Sequence, residues 1–105
     1  MSSQLALIVK LRVPENGKNL LRASLIQLFG IMKGEPTFVT ATLHDDLDDP
    51  ALLVVYEVWQ ETRESFLANQ MSKPYRADYE KVIVALHVER TGNWLAPIGS
   101  WNRGS

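Results

Sequence analysis

The sequence predicts an α+β fold, an antiparallel ferredoxin-like sheet carrying its helices on one face. Three observations carry that expectation. Segments of strand and helix periodicity alternate in the order β-α-β-β-α-(α)-β. A short acidic, proline-terminated segment joins the middle two strands as a hairpin. The first and last helical segments each have an apolar stripe, as a helix lying on a sheet requires. At 105 residues the chain is expected to be one domain spanning 1–105, with a core over about 5–95 and a tail over 96–105.

The elements follow in chain order. Leu5 to Val13 is an apolar run that turns into alternation, with Lys10 and Arg12 on one face and Val9, Leu11 and Val13 on the other. Pro14-Glu15-Asn16-Gly17 is a turn. From Lys18 to Lys33 the apolar positions Leu21, Leu25, Leu28, Phe29 and Met32 recur at helical spacing. Gly34 stands where a left-handed C-terminal residue is expected, and Pro36 acts as a stop. Thr37 to His44 alternates as a strand. Phe38, Thr40, Thr42 and His44 point one way; Val39, Ala41 and Leu43 point the other. Asp45 to Pro50 forms the hairpin loop, and Ala51 to Trp59 the next strand. Thr62 is expected to cap a short helix ending near Gln70, and Ser72 a second helix with Pro74 in its first turn. Tyr75, Tyr79, Val82, Ile83 and Leu86 mark the buried stripe of that helix. The chain passes into a last strand around Ala85 to Arg90. Trp94 to Trp101 is an apolar tail expected to pack on the body or on a partner.

Composition narrows the function classes. Eleven basic and twelve acidic residues nearly cancel, without the clustered Lys and Arg of a nucleic-acid footprint. With no cysteine there is no disulfide framework, zinc site or thiol chemistry. No apolar stretch reaches membrane-spanning length, and no signal-peptide pattern opens the chain, so a cytoplasmic location is expected. The strands are apolar at both parities, which leaves a second apolar sheet face for a homodimer to cover.

The chain resembles the antibiotic biosynthesis monooxygenase family, of the dimeric α+β barrel group, over roughly Leu5 to Trp94. The residues that carry the resemblance are Glu35-Pro36, Leu43-His44-Asp45, Asp48-Asp49-Pro50 and Tyr56-Glu57-x-Trp59. Pro74-Tyr75-Arg76 and Tyr79-Glu80 resemble the quinol-monooxygenase-like subgroup. The resemblance implies a dimer with a pocket between sheet and helices. It also implies oxidation of a small electron-rich aromatic, such as a quinol, phenol or anthrone, by O₂ with no cofactor and no metal. One branch of the family degrades haem. Many members have histidines where this chain has Asn69 and Pro74. Asparagine is a poor iron ligand, which disfavours haem. The missing histidines also keep open a non-catalytic small-molecule-binding or dimerisation module on the same fold.

Cofactor-free oxygenation needs an apolar pocket, a base and donors for a developing oxyanion. Trp59 is a candidate wall and N–H donor, or simply a core tryptophan. Glu57 shares its face and is a candidate base if buried; its plain alternative is an ion pair with Lys10 or Arg12. His44, on a polar stripe with Thr40 and Thr42, is a candidate base or an exposed turn residue. Asn69, Tyr75, Arg76 and Tyr79 are candidate substrate-binding residues, with Arg76 able to hold a phenolate or pair with Asp78 or Glu80. Asp45, Asp46, Asp48 and Asp49 invite a calcium reading. They lack the closing glutamate and central glycine of an EF-hand loop, which leaves a solvated turn.

Overall fold

The computed structural model describes residues 4–104. Strand β1 is Leu5–Arg12, helix α1 Lys18–Met32, β2 Phe38–Asp45, β3 Leu52–Trp59, α2 Arg63–Asn69, α3 Ala77–Ala85 and β4 Glu89–Leu95. Short 3-10 turns, Glu15–Gly17 and Pro74–Arg76, lead into α1 and α3. The strands are antiparallel in the order β2-β3-β1-β4, the ferredoxin-like arrangement.

The core lies between the sheet and the helices. Leu5, Leu7 and Leu11 of β1 and Leu53, Val55 and Trp59 of β3 meet Leu21, Leu25, Leu28 and Met32 of α1. Phe66 of α2 and Tyr79 and Ile83 of α3 complete it. Each fully buried aliphatic side chain here is worth about 1.5–3 kcal/mol relative to exposure. Both helical stripes therefore bury as their spacing predicts, with Phe29, Tyr75, Val82 and Leu86 at the margins.

Local chemistry sets the joints. Thr62 caps α2 through a reciprocal box, its hydroxyl accepting from the Ser65 N–H while the Ser65 hydroxyl accepts from the Thr62 N–H. The acidic hairpin is a turn built by its own side chains. Asp46 Oδ1 accepts from the Asp48 N–H and Asp49 Oδ1 from the Ala51 N–H. Its outer carboxylates are held by cations: Asp45 by Lys18 and Arg22, Asp49 by Arg12. Among the described residues no group of three or more potential ligands is placed to hold a metal.

Several expectations are corrected. Gly34 is not left-handed; among the described residues the positive-φ positions are His87 and Gly104. Helix α1 ends instead in tightening turns, with Gly34 N–H donating to Ile31 O and Glu35 N–H to Met32 O. Pro36 then takes the second position of a turn closed by Phe38 N–H to Glu35 O. Ser72 does not cap α3; the 3-10 turn before that helix begins after Lys73, with Pro74 at its first position. The left-handed residue falls at the end of α3, where His87 (φ 53°) lets Val88 N–H reach Ile83 O.

The last strand begins later than expected and takes in Trp94 and Leu95, which pair with Leu7 and Ala6 of β1. Beyond it the two large apolar side chains of the tail are not buried: Ile98 is fully exposed and Trp101 is 88% exposed. No helix among the described residues is long and apolar enough to cross a membrane.

Candidate active site

Alternation along β3 points Val55, Glu57 and Trp59 toward the helices. On the edge strand β4, Arg90, Gly92 and Trp94 sit opposite Leu11, Val9 and Leu7, and so face the same way. Gly92 presents no side chain at its register position, and a cavity of about 330 Å³ opens there between sheet and helices. That volume is at the small end of ligand pockets. Leu7, Val9, Val55 and Glu57 form its floor, and Leu25, Leu28 and Phe29 of α1 one wall. Phe66, Met71, Arg76 and Tyr79 form the other, with Arg90 and Trp94 toward β4.

An aromatic chain runs behind and beside this space. Phe38, Trp59, Phe66 and Trp94 meet edge-to-face in succession, with centroids 5.2, 5.3 and 5.6 Å apart. Trp59 is wholly buried in the middle of the chain and does not line the cavity. The expectation that it walls the pocket is corrected: of these four aromatic residues, Phe66 and Trp94 line the cavity. Trp59 reaches the site through a hydrogen bond, its indole N–H donating to Glu57 Oε1 at 3.0 Å.

Glu57 is 7% exposed and, among the described residues, in no ion pair. The plain alternative of a pair with Lys10 or Arg12 is overturned. Those residues alternate onto the other sheet face, and Arg12 is taken by Asp49 at 2.8 Å. Burial pushes the Glu57 carboxyl up, against the opposing pull of the Trp59 N–H and the Arg76 charge.

The remaining polar groups differ in how fully they are engaged. Arg90 forms a fork on Glu80 (2.8 and 3.1 Å) and donates to the Tyr79 hydroxyl at 3.3 Å. Burial raises the Tyr79 phenol, with Arg90 opposing. Arg76 lies over the Phe66 ring at 5.6 Å, yet its Nε and Nη2 are buried without a partner among the described residues. Tyr75 does not line the cavity. Its hydroxyl is buried beside Arg76 and Glu35, and burial pushes it up to about 12.

The structure thus brings together Glu57, Arg76 and Tyr79, with Trp59 in support. It does not bring His44, Thr40 and Thr42 to them. A bulge between Phe38 and Thr40 resets the alternation, so Phe38, Ala41 and Leu43 face the helices while Thr40, Thr42 and His44 face the open side. His44 is exposed there, its Nδ1 3.1 Å from Val54 O. Asn69 is exposed at the end of α2, outside the cavity, and helps hold Glu61.

Phe66, Gly92, Arg90 and Trp94 are site residues that sequence reasoning misses. The signal for the three on β4 is the two-residue period Arg90-x-Gly92-x-Trp94, obscured by the polar residues between. Also missed is Glu61, a buried carboxylate accepting from Thr37 Oγ1, Ser65 Oγ and Gln70 Nε2 at 2.7–3.0 Å. Burial raises its carboxyl, but these hydrogen bonds outweigh it and hold it low. The cluster ties both ends of α2 to the start of β2, and so fixes where Phe66 stands.

No protein-family model and no curated protein matches the sequence. Solved structures do. SnoaB, a cofactor-independent oxygenase from Streptomyces nogalater, superposes with a TM-score of 0.77 at 14% identity, covering 94% of this chain and 97% of that one. A candidate antibiotic biosynthesis monooxygenase from Nitrosomonas europaea gives 0.81 at 16% identity, covering 93% of each chain. Rv0793 from Mycobacterium tuberculosis gives 0.82 at 20% identity, covering 95% of this chain and all of that one. At these identities the shared property is the fold.

Proposed function

We propose that this chain is an antibiotic biosynthesis monooxygenase that oxidises an electron-rich aromatic (a quinol, phenol or anthrone) with O₂ and without a cofactor. The observation that carries the reading is the buried Glu57 carboxylate, held by the Trp59 N–H on the floor of an aromatic-walled cavity. The fold shared with an oxygenase described as cofactor-independent supports it.

In this reading the substrate ring lies between Phe66 and the sheet. Glu57 takes the substrate's acidic proton: the O–H or C–H bond breaks and a carboxyl O–H forms. A carboxyl raised by burial is a stronger base than a solvated one, which suits that transfer near neutral pH. The carbanion or phenolate passes an electron to O₂, and recombination forms a C–O bond to a peroxide that takes its proton back from Glu57. Loss of the remaining C–H proton from that carbon breaks the O–O bond, leaving a C=O on the ring and releasing the other oxygen as water, with all electrons supplied by the substrate. Trp59 acts through Glu57 and is a positioning residue. His44, Thr40 and Thr42 have no part in it.

A homodimer completes the reading. The open face carries Ile8, Val54, Tyr56 and Leu95, and the tail adds Ile98 and Trp101. A second copy packed on that face covers apolar surface that one copy leaves wet. The test is O₂ uptake by metal-free protein with freshly reduced naphthoquinols and benzoquinols, against autoxidation blanks. Uptake above blank that collapses in Glu57→Gln supports the reading. Ligand binding without uptake would replace it with a binding module.

A further inference from the structure

We infer that the cavity takes its aromatic ligand as an anion, and that Arg76 is the residue that selects for it. The inference takes the cavity as the ligand site, as above, and names the charge class of what enters.

Two guanidinium groups line the cavity, and their states differ. Arg90 spends its fork on Glu80 and a further N–H on Tyr79. Arg76 has its Nε and Nη2 out of water and in no hydrogen bond among the described residues; the Tyr75 hydroxyl lies beside the guanidinium and is itself unmatched. A guanidinium presents its donors in a planar fork matched to a carboxylate or an ionised hydroxyl, and leaving such donors buried and unmatched is costly. Its Cζ lies over the Phe66 ring, 5.6 Å from the centroid. Phe66 also walls the cavity, so the ring position and the free donor edge adjoin the same aromatic side chain.

Glu57 attracts that cation across the cavity, but no lining carboxylate forms an ion pair with it. Glu80 is engaged by Arg90 at 2.8 Å, and Glu57 forms no ion pair with Arg76. A ligand arriving with its proton can leave it on Glu57; a ligand arriving ionised meets Arg76 directly. Either route ends in a ligand oxyanion at the Arg76 guanidinium. The matching chemistry is a ring system bearing one acidic oxygen group, either a carboxylate or an ionised hydroxyl.

Anaerobic calorimetric titration with redox-inert ring compounds tests this without any oxygenase chemistry. The probes are 2-naphthoate, 2-naphthol and the neutral 2-naphthalenemethanol. The wild-type protein is expected to bind at least one acidic probe ~10-fold or more tightly than the neutral alcohol, as one charge-assisted hydrogen bond in place of an unmatched donor implies. Preference for naphthoate marks a carboxylate ligand. Naphthol affinity that rises as pH approaches the naphthol pKa marks an ionised hydroxyl. Arg76→Gln is expected to abolish the preference while leaving affinity for the neutral alcohol within about twofold. Arg76→Met, which keeps the packing on Phe66, serves where the glutamine variant does not fold. Equal wild-type affinity for all three probes, or a preference that survives loss of the guanidinium, overturns the inference. Anion binding without O₂ uptake removes the oxygenase reading and leaves this one standing. O₂ uptake indifferent to Arg76 does the reverse.

Discussion

The Trp59–Glu57 hydrogen bond makes a prediction that can be worked through from its geometry. The bond is 3.0 Å long and buried, with Glu57 7% exposed and Trp59 fully enclosed. The folded carboxyl is raised above its ordinary 4.5 because burial outweighs the Trp59 N–H and Arg76. A raised acid contributes stability that is fully present below the unfolded pKa and is lost as pH rises through the folded one. The wild-type protein should therefore lose stability on the alkaline side of 4.5, and Glu57→Leu should not show that loss. The hydrogen bond itself has the opposite sign. An N–H donated to a neutral carboxyl is worth about 0.5–1.5 kcal/mol, and to a carboxylate about 1.5–3 kcal/mol. A double-mutant cycle of Trp59→Phe and Glu57→Leu, read by urea unfolding, cancels the packing change of each single variant. Its coupling should be near 1 kcal/mol at about pH 4 and should rise by about 1 kcal/mol or more at about pH 9. Coupling that is absent, or the same at both pH values, would refute the assignment of this pair as a buried donor on an ionisable acceptor.

Three further outcomes are expected. Gly92→Leu should leave the melting temperature nearly unchanged, since a Cβ there meets its neighbours only at 3.7 and 3.8 Å, yet it should fill the cavity and weaken binding of any ring ligand ~10-fold or more in calorimetry. Glu61→Gln should cost about 1.5–3 kcal/mol near neutral pH in chemical denaturation. Because the folded Glu61 carboxyl is held below its ordinary 4.5, that stability is present above this value and fades as pH falls through the folded pKa, so the two proteins should converge in acid. His87→Gly should stabilise by about 0.5–1 kcal/mol, because a left-handed φ of 53° suits glycine at a helix C-terminus; an unchanged or lowered unfolding midpoint would count against that.

What the sequence reveals and conceals has physical causes. Both helical stripes and the order of strands are legible because each element packs one face against one layer, which writes its period into the chain. Glu57 and Trp59 are legible as a same-face pair because strand parity is rigid between bulges. The bulge at the start of β2 has no sequence mark, so simple alternation puts Thr40, Thr42 and His44 on the wrong face. Strand β4 is obscured because it is an exposed edge whose residues carry little apolar alternation. Its contribution to the cavity arises only through pairing with β1. The partners of Glu61 stand 24 positions before it and 4 and 9 after it, a cluster that only the folded chain brings together. The unmatched edge of Arg76 is likewise a property of packing: the charge is visible in the sequence, but the absence of a hydrogen bond from its buried donors among the described residues is not.

The most direct test of the oxygenase reading is turnover of a reduced naphthoquinol or an anthrone under ¹⁸O₂ by metal-free protein, with the product mass read against an autoxidation blank. The account predicts one labelled oxygen atom per product molecule, formed above blank by the wild-type protein and not by Glu57→Gln. Product without label, or labelled product formed equally by Glu57→Gln, would contradict it.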